Sequence, residues 1–360
     1  MTMGIACRIA GMLILGLLGI NPARAQGLEK WRIDGLIDGY YSWNQNRPFT
    51  GENQWILFDT SANPWSLSLA RLAIDRDTDP MGFHVEIGAG HTYELMNSFD
   101  SAPHVMQYFP QAYIKWKPAF LKGLQLDFGK FYTSTGVEVL DTDQNWNYSR
   151  SLLFSWAQPA YHFGLRTSIP IAKHFTVGVQ VINGWNNVRD NNSGKTVGPT
   201  ATFSWTHLSW TNVYYFGPEK TGTNQGWRHL YDTALLVTPG MPVSFYVNFD
   251  YGAERTLDGG KNQWVGIGSA AHVIASPSFS VTPRVEWFFD SDGFATGNEQ
   301  KLKEATLTAE WKLCRGFASR LEFRRDWSDR ATFPGDRMGE LVKSQNTLSL
   351  GLLATFSIKR

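Results

Sequence analysis

Histidine is the residue of this chain best suited to acid–base or metal chemistry. A hydrolase needs a nucleophile, a general base and an orienting group within reach of one another. No histidine lies in a Gly-x-Ser-x-Gly or His-Glu-x-x-His context, so the sequence predicts no catalytic residue, metal site or cofactor. A hydrolase is therefore the least favoured alternative. The eight histidines are His84, His91, His104, His162, His174, His207, His229 and His272.

One acidic stretch has carboxylates spaced closely enough to raise the question of calcium binding. Asp290-Ser-Asp292-Gly293 follows a segment in which Arg284 and Glu286 share one face. Calcium needs six to eight oxygen ligands, and this spacing supplies too few of them. The stretch therefore favours a solvated turn.

Alternating side chains dominate the rest of the chain. In Trp31–Trp43 the odd positions are apolar or glycine, while Arg32, Asp34 and Asp38 lie on the even positions. This period of two predicts a strand with one apolar face. About sixteen such segments occur. Their predicted spans are 31–43, 65–75, 83–95, 106–117, 123–132, 160–169, 175–185, 197–206, 208–216, 228–238, 242–251, 264–274, 279–289, 302–312, 317–327 and 345–357. A parity slip near Ala70 and Arg71 suggests a bulge.

The links between these segments alternate between long and short. Long links such as 44–64, 133–159 and 328–344 alternate with short ones such as 76–82 and 313–316. Transmembrane barrels have short periplasmic turns and long outer loops. In several segments the apolar face carries aromatics about ten residues apart, a climb of ~25 Å that matches an apolar band between aromatic girdles. The four pairs are Phe83 with Tyr93, Phe175 with Trp185, Phe279 with Phe289, and Phe317 with Trp327. The fold class is an all-β, antiparallel up-and-down transmembrane barrel of about sixteen strands.

The N-terminus predicts export. Residues 1–25 contain Arg8, an apolar run from Ile9 to Ile20 and the small-x-small site Ala23-Arg24-Ala25, which together are typical of a cleaved signal peptide. No other apolar run approaches the ~20 residues of a membrane helix. No shift in composition divides the remainder, so residues 26–360 form one barrel domain.

A barrel of about sixteen strands leaves an aqueous channel. Charged side chains on the polar faces are then expected to line the pore, because so many charges in a dry core would be prohibitively costly. Both signs are present, so no strong ion selectivity follows. The predicted pore-lining residues are Arg32, Asp34, Asp38, Glu86, Lys115, Asp127, Arg166, Arg284, Glu286, Arg320, Glu322, Arg324 and Asp326.

The longest link, 133–159, is the third outward loop of such a barrel. It carries Glu138, Asp141 and Asp143 together with several aromatics. Loops of this length are usually functional or disordered, and the aromatics argue against disorder. We expect the loop to fold inward as a constriction, with its carboxylates facing Arg166, Arg284 or Arg320. The alternative is a loop that caps the outer mouth.

Three stretches resemble the OmpL-like β-barrel porin-2 family. They are Asp38-Gly39-Tyr40-Tyr41-Ser42-Trp43-Asn44; Gly129-Lys130-Phe131-Tyr132-Thr133 with Gly136 and Glu138; and Arg284, Glu286, Asp290, Asp292 and Gly293. The resemblance extends over nearly all of the mature chain and implies an outer-membrane barrel with a pore role. One departure is the C-terminus, where Phe356 is followed by Ser357-Ile358-Lys359-Arg360.

Together these features predict a porin in the outer membrane of a Gram-negative-type bacterium, passing small hydrophilic solutes or ions by diffusion. Its partners would be outer-membrane lipid and those solutes, with a homotrimer by analogy with other sixteen-stranded barrels. A net charge of +1 gives no basic footprint for nucleic acid. The alternatives are a plugged or adhesive barrel without channel activity, and less favourably an outer-membrane hydrolase.

Overall fold

A closed antiparallel barrel accounts for nearly all of the structure. The computed structural model describes residues 31–98, 100–240 and 242–359, so the predicted signal peptide lies outside the described residues. The described residues contain sixteen barrel strands. Each pairs with the barrel strands that come before and after it in the chain, and the first barrel strand closes on the last. Arg32 lies opposite Lys359 at one end of that closing pair, and Asn44 lies opposite Thr347 at the other. The fold class is as the alternation predicted.

The strand bounds agree with the predicted segments over most of the chain. A short hairpin, β16–β17, lies in the link before the last strand. The strands are β1 (Trp31–Asn44), β2 (Trp65–Arg76), β3 (Met81–Ala89), β4 (Ala112–Trp116), β5 (Gln125–Tyr132), β6 (Tyr161–Ala172), β7 (Phe175–Ile182), β8 (Thr196–Trp205), β9 (Leu208–Gly217), β10 (Arg228–Val237), β11 (Val243–Arg255), β12 (Lys261–Ser276), β13 (Phe279–Asp290), β14 (Gln300–Cys314), β15 (Phe317–Ser328), β16 (Phe333–Pro334), β17 (Leu341–Val342) and β18 (Ser344–Lys359). The bulge expected in β2 is confirmed, since its register against β1 skips Ser68.

Helical turns interrupt the pattern between β3 and β4. The helix α1 (His91–Asn97) overlaps the end of the predicted strand 83–95, and a 3₁₀ helix (His104–Tyr108) overlaps the start of the predicted strand 106–117. Gly90 ends β3 with φ 130°, and a Cβ there would lie 2.5 Å from the carbonyl oxygen of Ser68. The strand prediction was therefore wrong beyond Ala89. No helix among the described residues has the length and apolar character needed to cross a membrane.

The outward faces of the strands form an exposed apolar belt. Ile37 is 51% exposed and Val285 is 60% exposed, although both lie within long strands. An exposed apolar surface of this extent fits contact with lipid. Phe279 and Phe289 lie at opposite ends of the outward face of β13, as predicted. Two girdle assignments were wrong: Tyr93 is buried in α1, and Trp185 lies beyond β7.

The inward faces are polar and charged, yet the space they enclose contains packed apolar clusters. One cluster joins wall residues such as Leu36 and Leu353 to loop residues such as Phe58 and Phe154. A second joins Trp264 and Phe288 of the wall to Leu152 and Leu153. Loops from one end of the barrel therefore fold into the lumen and pack there.

Candidate functional site in the barrel lumen

The link between β5 and β6, residues 133–160, lies inside the barrel, and we call it the lumen loop. Its contacts reach β1, β2 and β7, and also the wall from β11 to β15. A buried loop carries backbone groups that need partners, because an unpaired buried N–H or C=O is costly. The inward charges of the wall supply those partners.

Two wall carboxylates accept hydrogen bonds from the loop backbone. Glu322 accepts from the backbone N–H groups of Tyr148 at 2.7 Å and Ser149 at 3.0 Å. Glu286 accepts from the backbone N–H groups of Leu152 and Leu153. An unpaired buried N–H is costly, so these acceptors hold the loop against the wall.

Three wall arginines complete the attachment. Arg324 donates to the backbone oxygen of Arg150 at 2.7 Å and pairs with Asp326 at 2.8 Å. Arg320 donates to the backbone oxygen of Thr142 at 2.7 Å. Arg284 is the third, and it alone among them meets a loop carboxylate.

Arg284 is fully buried and joins wall to loop. It pairs with Glu304 of β14 at 2.9 Å and with Glu138 of the lumen loop at 2.7 Å. It also donates to the backbone oxygen of Ser149 at 2.7 Å. Because its three partners come from both sides of the contact, Arg284 is a central anchor of the loop.

The opposite edge of the lumen loop meets β1 and β2. Asp38 accepts hydrogen bonds from Tyr148 at 2.8 Å and Thr142 at 2.6 Å. Arg71 lies 3.3 Å from the carboxylate of Asp141 and 3.9 Å from that of Asp143. These contacts place the loop across the lumen, from the wall near β13 to the wall near β1.

Burial shifts the acidity of the carboxylates in the loops. Desolvation raises the pKa of Asp141 to about 7, the charge of Glu86 adds to that rise, and Arg71 opposes it. Burial likewise raises the pKa of Asp143, with Arg71 again opposing. In the link after β1, burial followed by the charge of Glu322 raises the pKa of Asp59 to about 7.

The first outward loop also enters the lumen. Trp55 and Trp156 meet edge to face at 5.2 Å, and the Trp156 indole N–H donates to the backbone oxygen of Trp55 at 3.0 Å. Phe58 packs against Phe154 with ring centroids 5.9 Å apart. The link after β1 therefore covers the lumen loop from one side.

A second group of inward charges remains in contact with water. Lys115 pairs with Asp75 at 2.6 Å, and Arg166 pairs with Asp127 at 2.8 Å. The Arg166 side chain is 25% exposed and that of Asp75 is 22% exposed, whereas Arg284 is 0% exposed. The ion pairs of β2–β6 are thus partly exposed to solvent, whereas Arg284 on β13 and Arg324 on β15 are buried. Arg32 and Asp34 pair at 2.6 Å near the start of β1.

The loop carboxylates contact only some of the arginines that the sequence predicted as their partners. Glu138 meets Arg284, as expected. Arg320 meets loop carbonyls and Glu310 rather than loop carboxylates, and Arg166 pairs within its own wall. The other two loop carboxylates meet Arg71, which the sequence reasoning missed because it falls on the parity slip of β2.

Other inward residues were also missed. Asp75 and Asp232 share the inward parity of their strands, so alternation alone could have found them. No alternation in the sequence indicated the position of Arg150. It lies in the lumen loop and donates to the backbone oxygens of Leu140 and Tyr148, which fixes the loop on itself.

The predicted pore-lining residues therefore fall into two groups. Arg32, Asp34, Lys115, Asp127 and Arg166 lie away from the lumen-loop contacts described here. The others lie against the lumen loop or its immediate partners. That second group is Asp38, Glu86, Arg284, Glu286, Arg320, Glu322, Arg324 and Asp326.

A sixteen-stranded barrel with an apolar outer belt and a charged interior is the architecture of bacterial outer-membrane channels. The chain belongs to the family described as "Putative beta-barrel porin-2, OmpL-like", whose model matches residues 30–356. It is thus an outer-membrane porin. No protein of curated function matches the sequence significantly.

Solved structures agree with this fold at low sequence identity. An anion-selective porin from Comamonas acidovorans is 11% identical with a TM-score of 0.60, covering 91% of this chain and 99% of that one. OprB of Pseudomonas putida is 13% identical with a TM-score of 0.61, covering 93% and 96%. OmpT of Vibrio cholerae, solved in a trimer form, is 11% identical with a TM-score of 0.59, covering 91% and 99%.

Proposed function

We propose that this porin is a narrow diffusion channel for small hydrophilic solutes and ions, with the lumen loop as its constriction. The observation that carries the proposal is the unequal hydration of the inner wall. Arg284 and Arg324 are buried against the loop, whereas the side chains of Asp75, Lys115 and Arg166 are partly exposed. The solute path follows the hydrated wall of β2–β6 and the neighbouring strands.

On β8 and β9, the wall beside the proposed solute path carries uncharged side chains with hydroxyl groups. Thr200, Thr202 and Thr211 have the inward parity of β8 and β9 and are half-buried. Hydroxyls can donate and accept hydrogen bonds, so they suit uncharged polar solutes as well as hydrated ions. The charges on the other side are paired, Lys115 with Asp75 and Arg166 with Asp127, which supports weak ion selectivity.

The protein transports without catalysis and assembles as a homotrimer in this proposal. The trimer is supported by analogy with OmpT of Vibrio cholerae, which was solved in a trimer form. The inward histidines are engaged in structural contacts. His162 is buried and bonds the backbone oxygen of Gly184, and His272 bonds the Thr282 hydroxyl.

A plugged barrel without conductance is the second candidate. The specific observation in its favour is the extent of the loop contacts, which reach from β1 and β2 to β15. The packed apolar clusters in the lumen support it as well. The two candidates differ in one measurable property, which is conductance.

The deciding experiment is single-channel recording of the refolded mature protein in a planar lipid bilayer under a salt gradient. The diffusion channel gives discrete steps and a reversal potential near zero. A matched variant replaces residues 139–156 by a short Gly-Ser linker and is expected to give larger steps. Inserted protein that conducts only after this deletion identifies a plugged barrel and overturns the channel proposal. Heat-resistant migration in gels and circular dichroism verify that each barrel is folded.

A further inference from the structure

Three tyrosines form a row on the outer wall of β9–β11. Tyr231 lies opposite Tyr214 on one neighbouring strand and opposite Tyr251 on the other. Each ring is between 37% and 39% exposed. The row lies at the strand ends that lead into the long loops, because β9 and β10 are joined by residues 218–227. Aromatic girdles of outer-membrane barrels occur at this height, at the boundary between acyl chains and headgroups.

Above the tyrosines the wall recedes into a groove. The next row contains His229, which lies opposite the small residue Ala253. The groove has a volume of about 300 Å³, and its lining includes Ala253, Tyr231 and Tyr251. A methyl side chain at its centre leaves space that the surrounding rings do not fill.

The tyrosine hydroxyls are all oriented by polar neighbours. The hydroxyl of Tyr214 bonds the ring nitrogen of His229 at 2.7 Å. That of Tyr231 donates to Asn212 at 2.9 Å. That of Tyr251 donates to the side-chain oxygen of Gln263 at 2.8 Å. The hydroxyls of Tyr214 and Tyr251 therefore point toward the long-loop end of the strands, whereas that of Tyr231 points toward Asn212 on the opposite side of the row.

Two basic side chains complete the groove. Arg255 and Lys261 lie opposite each other at the ends of β11 and β12 and line its upper side. Within the described part of the chain, neither has a carboxylate within ion-pair distance. Lys261 instead donates to the hydroxyl of Tyr251 at 2.9 Å.

Three acidic residues near the groove have other partners. Asp292 accepts hydrogen bonds from the backbone N–H of Gln263 at 2.9 Å and from the Ser291 hydroxyl at 2.8 Å. Glu254 binds Lys220 at 2.6 Å and Arg228 at 2.7 Å. Asp258 accepts hydrogen bonds from Thr256 and the backbone of Gly260 within its own turn. The groove therefore presents uncompensated positive charge directly above an aromatic and apolar surface.

We propose that this groove binds the phosphorylated headgroup of a lipid in the outer leaflet. The phosphate lies between Arg255 and Lys261, and the acyl chains follow the tyrosine row and the apolar belt below it. Charge complementarity and the membrane height of the groove favour this occupant over a second copy of the chain. Basic residues near a membrane surface attract anionic lipid, and an arginine matches phosphate geometry well.

Native mass spectrometry of the refolded protein in detergent tests the proposal, with diphosphoryl lipid A as probe. Arg255→Ala with Lys261→Ala should weaken adduct formation by about tenfold or more, because two charges near the phosphate are lost. Ala253→Phe fills the groove without changing charge and should also reduce adducts. Arg76→Ala is the matched control, since Arg76 lies over the Trp31 ring at the opposite rim.

Several outcomes would overturn the proposal. Equal adduct formation by the double variant and the unaltered protein is one, and an equal loss in the Arg76→Ala control is another. Phosphatidylcholine, which has no net charge, should form no variant-sensitive adducts. If inorganic phosphate displaces the lipid at similar concentrations, free phosphate is the ligand and the lipid proposal fails. If the unaltered protein binds no lipid but forms dimers that the double variant loses, a second copy occupies the groove.

Discussion

Replacing Arg284 by methionine should release the lumen loop from the wall. The substitution retains much of the side-chain volume but removes the ion pairs to Glu138 and Glu304 and the hydrogen bond to the Ser149 backbone. Breaking a buried pair by removing one partner typically costs about 3–5 kcal/mol, because the other charge stays buried and unpaired. Two of the three partner residues belong to the loop. If about 2 kcal/mol of the loss falls on loop docking, the undocked population rises about thirtyfold.

Trypsin can report this change directly. Arg150 lies in the lumen loop and is 1% exposed, so cleavage after it requires the loop to leave the wall. When opening is fast relative to cleavage, the rate follows the open population. The Arg284→Met variant should therefore be cut after Arg150 about thirtyfold faster and should show larger or noisier conductance steps. Adding Glu138→Gln should recover part of the loss, since it removes one unpaired charge.

Arg166→Met is the matched control for this experiment. Arg166 also faces inward and pairs with a carboxylate, Asp127, but that partner belongs to the wall and not to the loop. Its loss should leave cleavage after Arg150 unchanged. The reasoning fails if folded Arg284→Met protein is cut at the unaltered rate. It also fails if both arginine variants are cut equally fast.

Three further predictions concern the same loop. Asp141 has its pKa raised to about 7, above the ~3.9 of an unfolded chain, so its docking is most stable below pH 4 and weakens as the pH rises through 7. Cleavage after Arg150, normalised at each pH to trypsin cleavage of an unfolded peptide, should thus be faster at pH 8 than at pH 5. Asp141→Asn should flatten that difference, and an unchanged normalised pH profile in the variant contradicts the assignment. A Cβ at Gly351 would lie 2.4 Å from the Tyr148 ring, so Gly351→Val should lower the free energy of unfolding in urea by about 1–3 kcal/mol, and equal stability would show that the ring moves freely. Trp156→Ala removes the indole contact to Trp55 and should increase single-channel conductance, whereas an unchanged step size would place the first loop outside the solute path.

The strands were predictable because the inner and outer environments differ at every second residue. Ile37 and Val285 face outward and remain exposed, so their apolar character has no explanation in a soluble core. The prediction failed where chain geometry overrides alternation. Gly90 adopts φ 130°, and the chain then turns into α1, so Tyr93 points into the lumen instead of continuing the strand.

The sequence predicts which side chains of the site face the lumen, but it does not predict which residues they contact. Strand parity alone places Arg284 and Glu286 inward, and both lie there. Parity cannot say that Arg284 meets Glu138 of a loop that follows β5, because that contact depends on the path of a segment without periodicity. Arg71 illustrates the same limit, since the bulge in β2 obscures its direction in the sequence.

The charges of the inner wall act as partners for a folded loop as well as for water. A loop buried in the lumen needs hydrogen-bond partners for its backbone groups. Glu322 and Glu286 supply some of them, since they accept hydrogen bonds from four backbone N–H groups of the loop. If the loop did not enter the lumen, water would hydrate the same carboxylates without a loss of free energy. The loop must therefore supply more than charge compensation, and its apolar side chains do so, since Leu152 and Leu153 pack with Trp264 and Phe288 of the wall. The bore of the barrel is accordingly set by the balance between this packing and the hydration of the wall.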